Sequence, residues 1–118
     1  MKIKIVRAKI SDAQEIRELE TKVWKEEVTN NYDIPMFVRF GYVFIAKERE
    51  KKIGAIISYK TNKNEVYISD LVVDPKYRRQ GIARQLRERL FKEVKGMNVV
   101  SFLDPKNIPT IELNKKMG

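Results

Sequence analysis

The chain has 118 residues, 42% of them hydrophobic, which suits one domain spanning 1–118 with a core between two packed layers. Cysteine and histidine are both absent, which excludes disulfides, thiolate metal sites, a cysteine nucleophile and the usual imidazole base; calcium-loop spacing is missing too, so no metal is expected. The net charge of +9 favours a polyanionic partner such as nucleic acid, a membrane surface or a phosphorylated cofactor. The longest apolar runs, Val43-Phe44-Ile45-Ala46 and Ala55-Ile56-Ile57, are far too short for a membrane-spanning helix, and Met1 leads straight into an alternating segment, so a soluble cytoplasmic protein is expected.

Ile3 and Ile5 alternate with charged neighbours and predict a first strand. Ser11-Asp12-Ala13-Gln14 has the form of a capping box, and Ile16, Leu19 and Val23 then give one apolar stripe on a helix reaching about Glu27. Pro35 is expected to open a short second helix. The aromatics Tyr32, Phe37 and Phe40 are candidates for a substrate cleft, as are the carboxylates Glu26 and Glu27; the competing readings are a closed core edge and solvated charge. Tyr42–Lys47, Ile53–Lys60 and Glu65–Val73 predict three antiparallel strands joined by the polar turns at 48–52 and 61–64.

The third of these strands is irregular. Val66 and Ile68 hold one phase of the alternation, Leu71 and Val73 the other, so the strand is either buried on both faces or bulged. A bulge would also turn a backbone N–H away from the ladder, towards a ligand. Beyond Asp74-Pro75 a helix is expected to about Lys95, with Ala83, Leu86, Leu90 and Val94 on one side and Gly96 at its end. Asn98–Leu103 predicts a strand, and a last helix starts near Asn107, with Pro109 in its first turn. The order β-α-α-β-β-β-α-β-α contains a βαβ unit, making the strands at 65–73 and 98–103 parallel neighbours in a mixed α/β sheet flanked by helices.

The turn Arg78-Arg79-Gln80-Gly81-Ile82-Ala83-Arg84 lies between a buried strand and a helix start. Free backbone N–H groups there, at the positive end of the helix dipole, form a nest suited to phosphate oxygens. Arg78, Arg79 and Arg84 add charged donors, Gly81 removes a side chain where a ligand would approach, and the small Ala83 allows close helix–strand packing.

The run from Glu65 to Leu86, with Val73-Asp-Pro-Lys-Tyr-Arg-Arg-Gln-Gly-Ile82 at its centre, resembles the core motif of the GNAT acetyltransferase superfamily, including its [Arg/Gln]-x-x-Gly-x-[Gly/Ala] pyrophosphate loop. The phrasing is nearest to the branch that acetylates protein N-termini, ribosomal-protein alanine acetyltransferases among them. The order of elements agrees over nearly the whole chain. The resemblance implies an N-acetyltransferase taking acetyl-CoA as co-substrate and a primary amine, such as a protein N-terminus, as acceptor. It implies that Leu71, Val72 and Val73 pair with the pantetheine arm, that the Val73 N–H holds the thioester oxygen, and that Arg78 to Arg84 wrap the pyrophosphate. Asn107 would contact the pantetheine or acceptor side. Tyr67 aligns with a tyrosine that serves as base in one group of N-terminal acetyltransferases; an ordinary strand tyrosine is the competing reading.

The sequence departs from the family at three points. Asn114 stands where many members place the tyrosine that protonates the departing thiolate, and asparagine can donate a hydrogen bond but not a proton. Phe102 stands where ribosomal-type relatives carry a glutamate. Two C-terminal strands of the family are absent after Gly118, so a truncated record is one expectation and a minimal domain completed by a partner, such as a second copy in a homodimer, is the other. These departures leave a catalytically degenerate acyl-CoA-binding regulatory domain as the alternative function, with a basic RNA- or ribosome-binding protein the least favoured.

Overall fold

A computed structural model describes residues 2–25 and 33–101. In chain order these form β1 (Ile3–Arg7), a 3-10 turn at Ile10–Asp12, α1 (Ala13–Trp24), α2 (Asp33–Phe40), β2 (Gly41–Glu48), β3 (Lys51–Asn62), β4 (Glu65–Val73), a second 3-10 turn at Pro75–Tyr77, α3 (Ile82–Glu93) and β5 (Asn98–Ser101). The sheet order is β1-β2-β3-β4-β5, antiparallel up to β4, with β5 parallel to β4 as the βαβ reading requires. The expected helix from Asn107 lies outside the described residues.

Two apolar layers sandwich the sheet. On one face Phe44, Ile56, Val66, Ile68, Leu71 and Val73 meet Ile82, Leu86 and Leu90 of α3. On the other, Val43, Ile45, Ala55, Ile57 and Val72 meet Ala13, Ile16 and Leu19 of α1 and Ile34 of α2. The two phases of β4 are thereby reconciled. Ile57 pairs with Asp70 and Ser58 with Ile68, so Ser69 is the extra residue of a bulge. That single insertion keeps Val66, Ile68, Leu71 and Val73 on the α3 face and leaves Tyr67, Asp70 and Val72 on the face of α1 and α2.

Two local expectations are corrected. Ser11 does not cap α1: it lies inside the 3-10 turn, and the Asp12 carboxylate instead accepts the Lys9 N–H at 2.7 Å. The Asp12 carboxylate thus closes the 3-10 turn, and the helix starts one position later, at Ala13, with no side-chain cap bond. The helix also stops at Trp24 rather than near Glu27, because Lys25 adopts the left-handed conformation (φ 59°) and closes it with an N–H bond to the Thr21 carbonyl at 2.7 Å. Beside Ala83, which packs partly buried against the α3-side core, a second small residue lets α3 approach the sheet. A Cβ added at Gly54 of β3 would stand 3.2 Å from Ile82 Cγ2 and 3.3 Å from Leu86 Cδ1, so the missing side chain there seats the first turn of α3.

Candidate functional site: the β4 edge and the turn into α3

The base of the turn after β4 is pinned from two sides. The Asp74 N–H donates to the Ile53 carbonyl at 2.7 Å, extending the β3–β4 ladder by one rung. The buried Asp74 carboxylate accepts from the Lys76 N–H at 3.0 Å and from Lys22 Nζ of α1 at 2.8 Å. Burial alone would raise its pKa, but the Lys22 ammonium and the Lys76 N–H outweigh it and hold the group below the ordinary aspartate value. On the other side, the Tyr77 hydroxyl donates to Glu48 Oε1 at 3.2 Å, tying the 3-10 turn to β2. Burial and the nearby Glu48 carboxylate both raise the Tyr77 pKa, keeping it the donor.

Beyond this anchor the chain opens. Arg78, Arg79, Gln80 and Gly81 are exposed. Arg79 (φ 64°) and Gly81 (φ 77°) both have left-handed backbone, and a Cβ at Gly81 would meet nothing within 4 Å. Among the described residues no backbone carbonyl accepts from the amides of 78–81, and those of Ile82, Ala83 and Arg84 open α3, where helix geometry supplies no acceptor. The result is a concave run of unsatisfied N–H groups at the positive end of a 12-residue helix. Arg78 and Arg79 make no ion pair among the described residues, whereas Arg84 Nε meets Glu88 Oε1 at 3.2 Å in an exposed pair that an anion could displace at little cost.

The side chain of Ile82 does not face the turn; it is 2% exposed and belongs to the α3 core. What Ile82 can offer a ligand is its amide. Leu71, Val72 and Val73 also have buried side chains, so they too could meet a ligand only through the backbone; the Leu71 N–H is already donated to Asp70 Oδ1 at 2.9 Å. Ala83 packs partly buried against the α3-side core.

Backbone direction on β4 follows from the Asp74–Ile53 bond. Residues of one strand alternate in the edge to which they present N–H and C=O, so if Asp74 and Val72 face β3, Val73 and Leu71 face the opposite edge. That is the edge where β5 pairs over Glu65–Ile68 only; no described strand pairs beside Leu71–Val73. An outward Val73 N–H therefore sits one turn of chain from the cradle at 78–84, suited to an extended ligand with an acceptor at one end and a diphosphate at the other. The donor set fits the phosphorylated co-substrate that the sequence resemblance implies. An open hollow of about 410 Å³ is lined by Gln14, Arg17, Glu18, Thr21 and Lys22 of α1, the last of which also holds Asp74.

On the α1/α2 face, Phe37 stacks on Tyr59 (5.3 Å between centroids, 7° between planes), and Tyr59 meets Tyr67 at 5.6 Å. The candidates Tyr67 and Phe37 are thus brought into one aromatic row running from α2 across β3 to β4. Two further residues escaped the sequence reading. Trp24 Nε1–H lies 3.2 and 3.3 Å from the two carboxylate oxygens of Asp70, and Asp70 Oδ1 also accepts the Leu71 N–H at 2.9 Å. A carboxylate inside the apolar run Ile68-Ser-Asp-Leu-Val-Val73, and the only tryptophan of the chain, were the available signals. Glu26, Glu27, Tyr32, Phe102, Asn107 and Asn114 lie outside the described residues. Among the described residues no group of acidic side chains is placed to hold a metal ion, and no helix is long and apolar enough to cross a membrane.

The family model described as the Acetyltransferase (GNAT) family matches residues 10–118. An uncharacterized N-acetyltransferase, YnaD, of Bacillus subtilis is 24% identical over 130 residues, covering 87% of this chain and 76% of that protein. Among solved structures, the diaminobutyrate acetyltransferase EctA from Paenibacillus lautus, in complex with L-2,4-diaminobutyric acid and coenzyme A, superposes with a TM-score of 0.87 at 19% identity, covering 98% of this chain and 74% of that one. The ribosomal-protein-S18-alanine N-acetyltransferase from Escherichia coli gives 0.82 at 21% identity, with 99% and 77% covered. The ribosomal-protein branch is therefore one neighbour among several, and at these identities the superpositions speak for the fold. With a family match over nearly its whole length, and a cradle suited to a diphosphate, this chain belongs to the GNAT acetyltransferases and is an N-acetyltransferase whose co-substrate is acetyl-CoA.

Proposed function

We propose that the chain, as one acetyltransferase domain, moves the acetyl group of acetyl-CoA directly to a primary amine, with a peptide or protein N-terminus as a leading class of acceptor. The observation that carries the reading is the outward Val73 N–H, which lies at the edge left open after the bulge and is followed by the free amides of 78–84. Leu71 and Val73 receive the pantetheine arm as an added strand. The Val73 N–H donates to the thioester oxygen and holds the charge that grows there during attack. The amides from Arg78 to Arg84, including those of Gln80, Gly81, Ile82 and Ala83, together with the Arg78 and Arg79 guanidiniums, grip the pyrophosphate.

The acceptor enters from the α1/α2 face, past Phe37 and Tyr67. Tyr67, a carboxylate or ordered water takes the proton that the nitrogen loses. From the sequence alone, Asn114 is assigned the hydrogen bond to the departing sulfur and Asn107 the contact on the pantetheine or acceptor side, and Glu26, Glu27 and Tyr32 are the acceptor-side candidates; all five lie outside the described residues. The related solved enzymes support an amine acceptor, since the substrate names they carry are those of a diamino acid and a protein alanine.

The test is release of free CoA thiol from acetyl-CoA, comparing peptides with a free α-amine against the same peptides N-acetylated, alongside small alkylamines. Turnover with free amines only is expected. Folded protein that binds acetyl-CoA yet releases no thiol with any amine would overturn the reading in favour of a regulatory acyl-CoA-binding domain.

A further inference from the structure

Tyr67 and Asp70 lie on the same face of β4 only because the bulge absorbs Ser69 between them. Asp70 is then held from two sides. Its carboxylate spans the Trp24 indole N–H, which comes from the last residue of α1, and the N–H of Leu71. A half-buried aspartate on an apolar strand is costly unless hydrogen-bonded, and these donors satisfy it without neutralising it, since no cation pairs with it among the described residues. It is three residues from Val73, roughly 10 Å along an extended strand. A fixed carboxylate with no cation partner among the described residues therefore lies on the strand that carries the Val73 N–H, on the same face as the aromatic row Phe37–Tyr59–Tyr67.

We infer that Asp70 is the group that receives the acceptor's ammonium head, that Trp24 is a positioning residue holding that carboxylate in one rotamer, and that the acceptor is a protonated primary amine on a flexible aliphatic carrier lying along the aromatic row. The inference rests on the amine-acetylation reading above. The ammonium donates to the Asp70 oxygen lone pairs that Trp24 and Leu71 leave free, a carboxylate having about four such sites. The ring faces of Tyr67 and Tyr59 add cation–π attraction for the head and apolar contact for the carrier. No proton need pass to Asp70; its role is to hold the nitrogen in line with the thioester until water or Tyr67 takes the proton.

The test uses the full chain and two variants. Asp70→Asn keeps an oxygen for both N–H donors and removes only the charge; Trp24→Phe keeps the ring and removes only the indole donor. With n-butylamine as acceptor, Asp70→Asn is expected to raise the amine KM by about 10- to 100-fold, as loss of a charged hydrogen-bond partner implies, and Trp24→Phe by about 3- to 10-fold, with the acetyl-CoA KM unchanged in both. Because the chain has one tryptophan, its emission reports this site directly. In the presence of CoA, n-butylamine should change Trp24 fluorescence saturably in the wild type and not in Asp70→Asn, and 1-butanol should do nothing. The inference is overturned if both folded variants keep the wild-type amine KM, if the fluorescence response persists in Asp70→Asn, or if Trp24→Phe loses thermal stability alone. Failure of the amine-acetylation reading looks different: no amine then releases CoA thiol even with the wild type.

Discussion

Replacing Gly81 by alanine separates the conformational role of this residue from its role at the ligand surface. Gly81 has φ 77°, and the new Cβ would meet nothing within 4 Å. There is no clash to relieve, so the stability loss comes from the backbone: an L-residue in the left-handed region costs about 1–2 kcal/mol. For a domain of this size that lowers Tm by roughly 4–8 °C. Ligand affinity should fall further than stability. The methyl group occupies the space through which a diphosphate reaches the amides of 80–84, and losing even one charge-assisted hydrogen bond of about 1.5–3 kcal/mol weakens binding by about tenfold or more. Calorimetric unfolding gives the first quantity and isothermal titration with acetyl-CoA the second. If Tm drops as stated while Kd stays within about twofold of wild type, Gly81 serves only the turn, and the cradle assigned to it is wrong.

Arg79 offers the opposite sign. It is held at φ 64° with a full side chain, so Arg79→Gly should keep or raise Tm, by up to about 1 kcal/mol of relieved strain, while acetyl-CoA affinity falls for want of the guanidinium. A lower Tm with unchanged affinity would contradict both statements. Asp74 sets an acid limb. Its folded pKa lies below the ordinary 3.8, so its contribution is complete above 3.8 and is lost as pH falls through the lowered folded value, because the unfolded chain binds the proton first. Asp74→Asn should cost about 1–3 kcal/mol at neutral pH and flatten the fall of Tm with acid; equal acid slopes for the two proteins would refute the assignment.

What could be foreseen from the sequence was local. The strand 65–73 and its irregularity were legible because a period of two cannot hold Val66 and Ile68 on one face with Leu71 and Val73; whether burial on both faces or a bulge reconciles them took the register with β3 to decide. The turn into α3 was legible from Gly81 standing ahead of the apolar stripe Ala83, Leu86 and Leu90, and its exposed arginines lie where the sequence puts them. Contacts made across the sequence were not. Trp24 and Asp70 are 46 residues apart, and nothing in either neighbourhood announces the other. Gly54 reads as a weak strand residue until Ile82 and Leu86 are seen against it. Tyr59 and Phe37 become a row with Tyr67 only once α2 lies over β3. The helix boundaries at Ser11 and Glu27 failed for a subtler reason: the Asp12 carboxylate closes a 3-10 turn on the Lys9 N–H ahead of the helix, and a left-handed lysine at 25 has no composition signal.

Amide NMR shifts followed through a titration with CoA would test the account at its centre. Perturbations are expected to gather at the N–H groups of Val73 and 78–84, while Asp74 and Leu71, whose N–H groups are already committed to the Ile53 carbonyl and the Asp70 carboxylate, move little. Shifts centred on the hollow of α1, or a Val73 amide untouched at saturation, would contradict it.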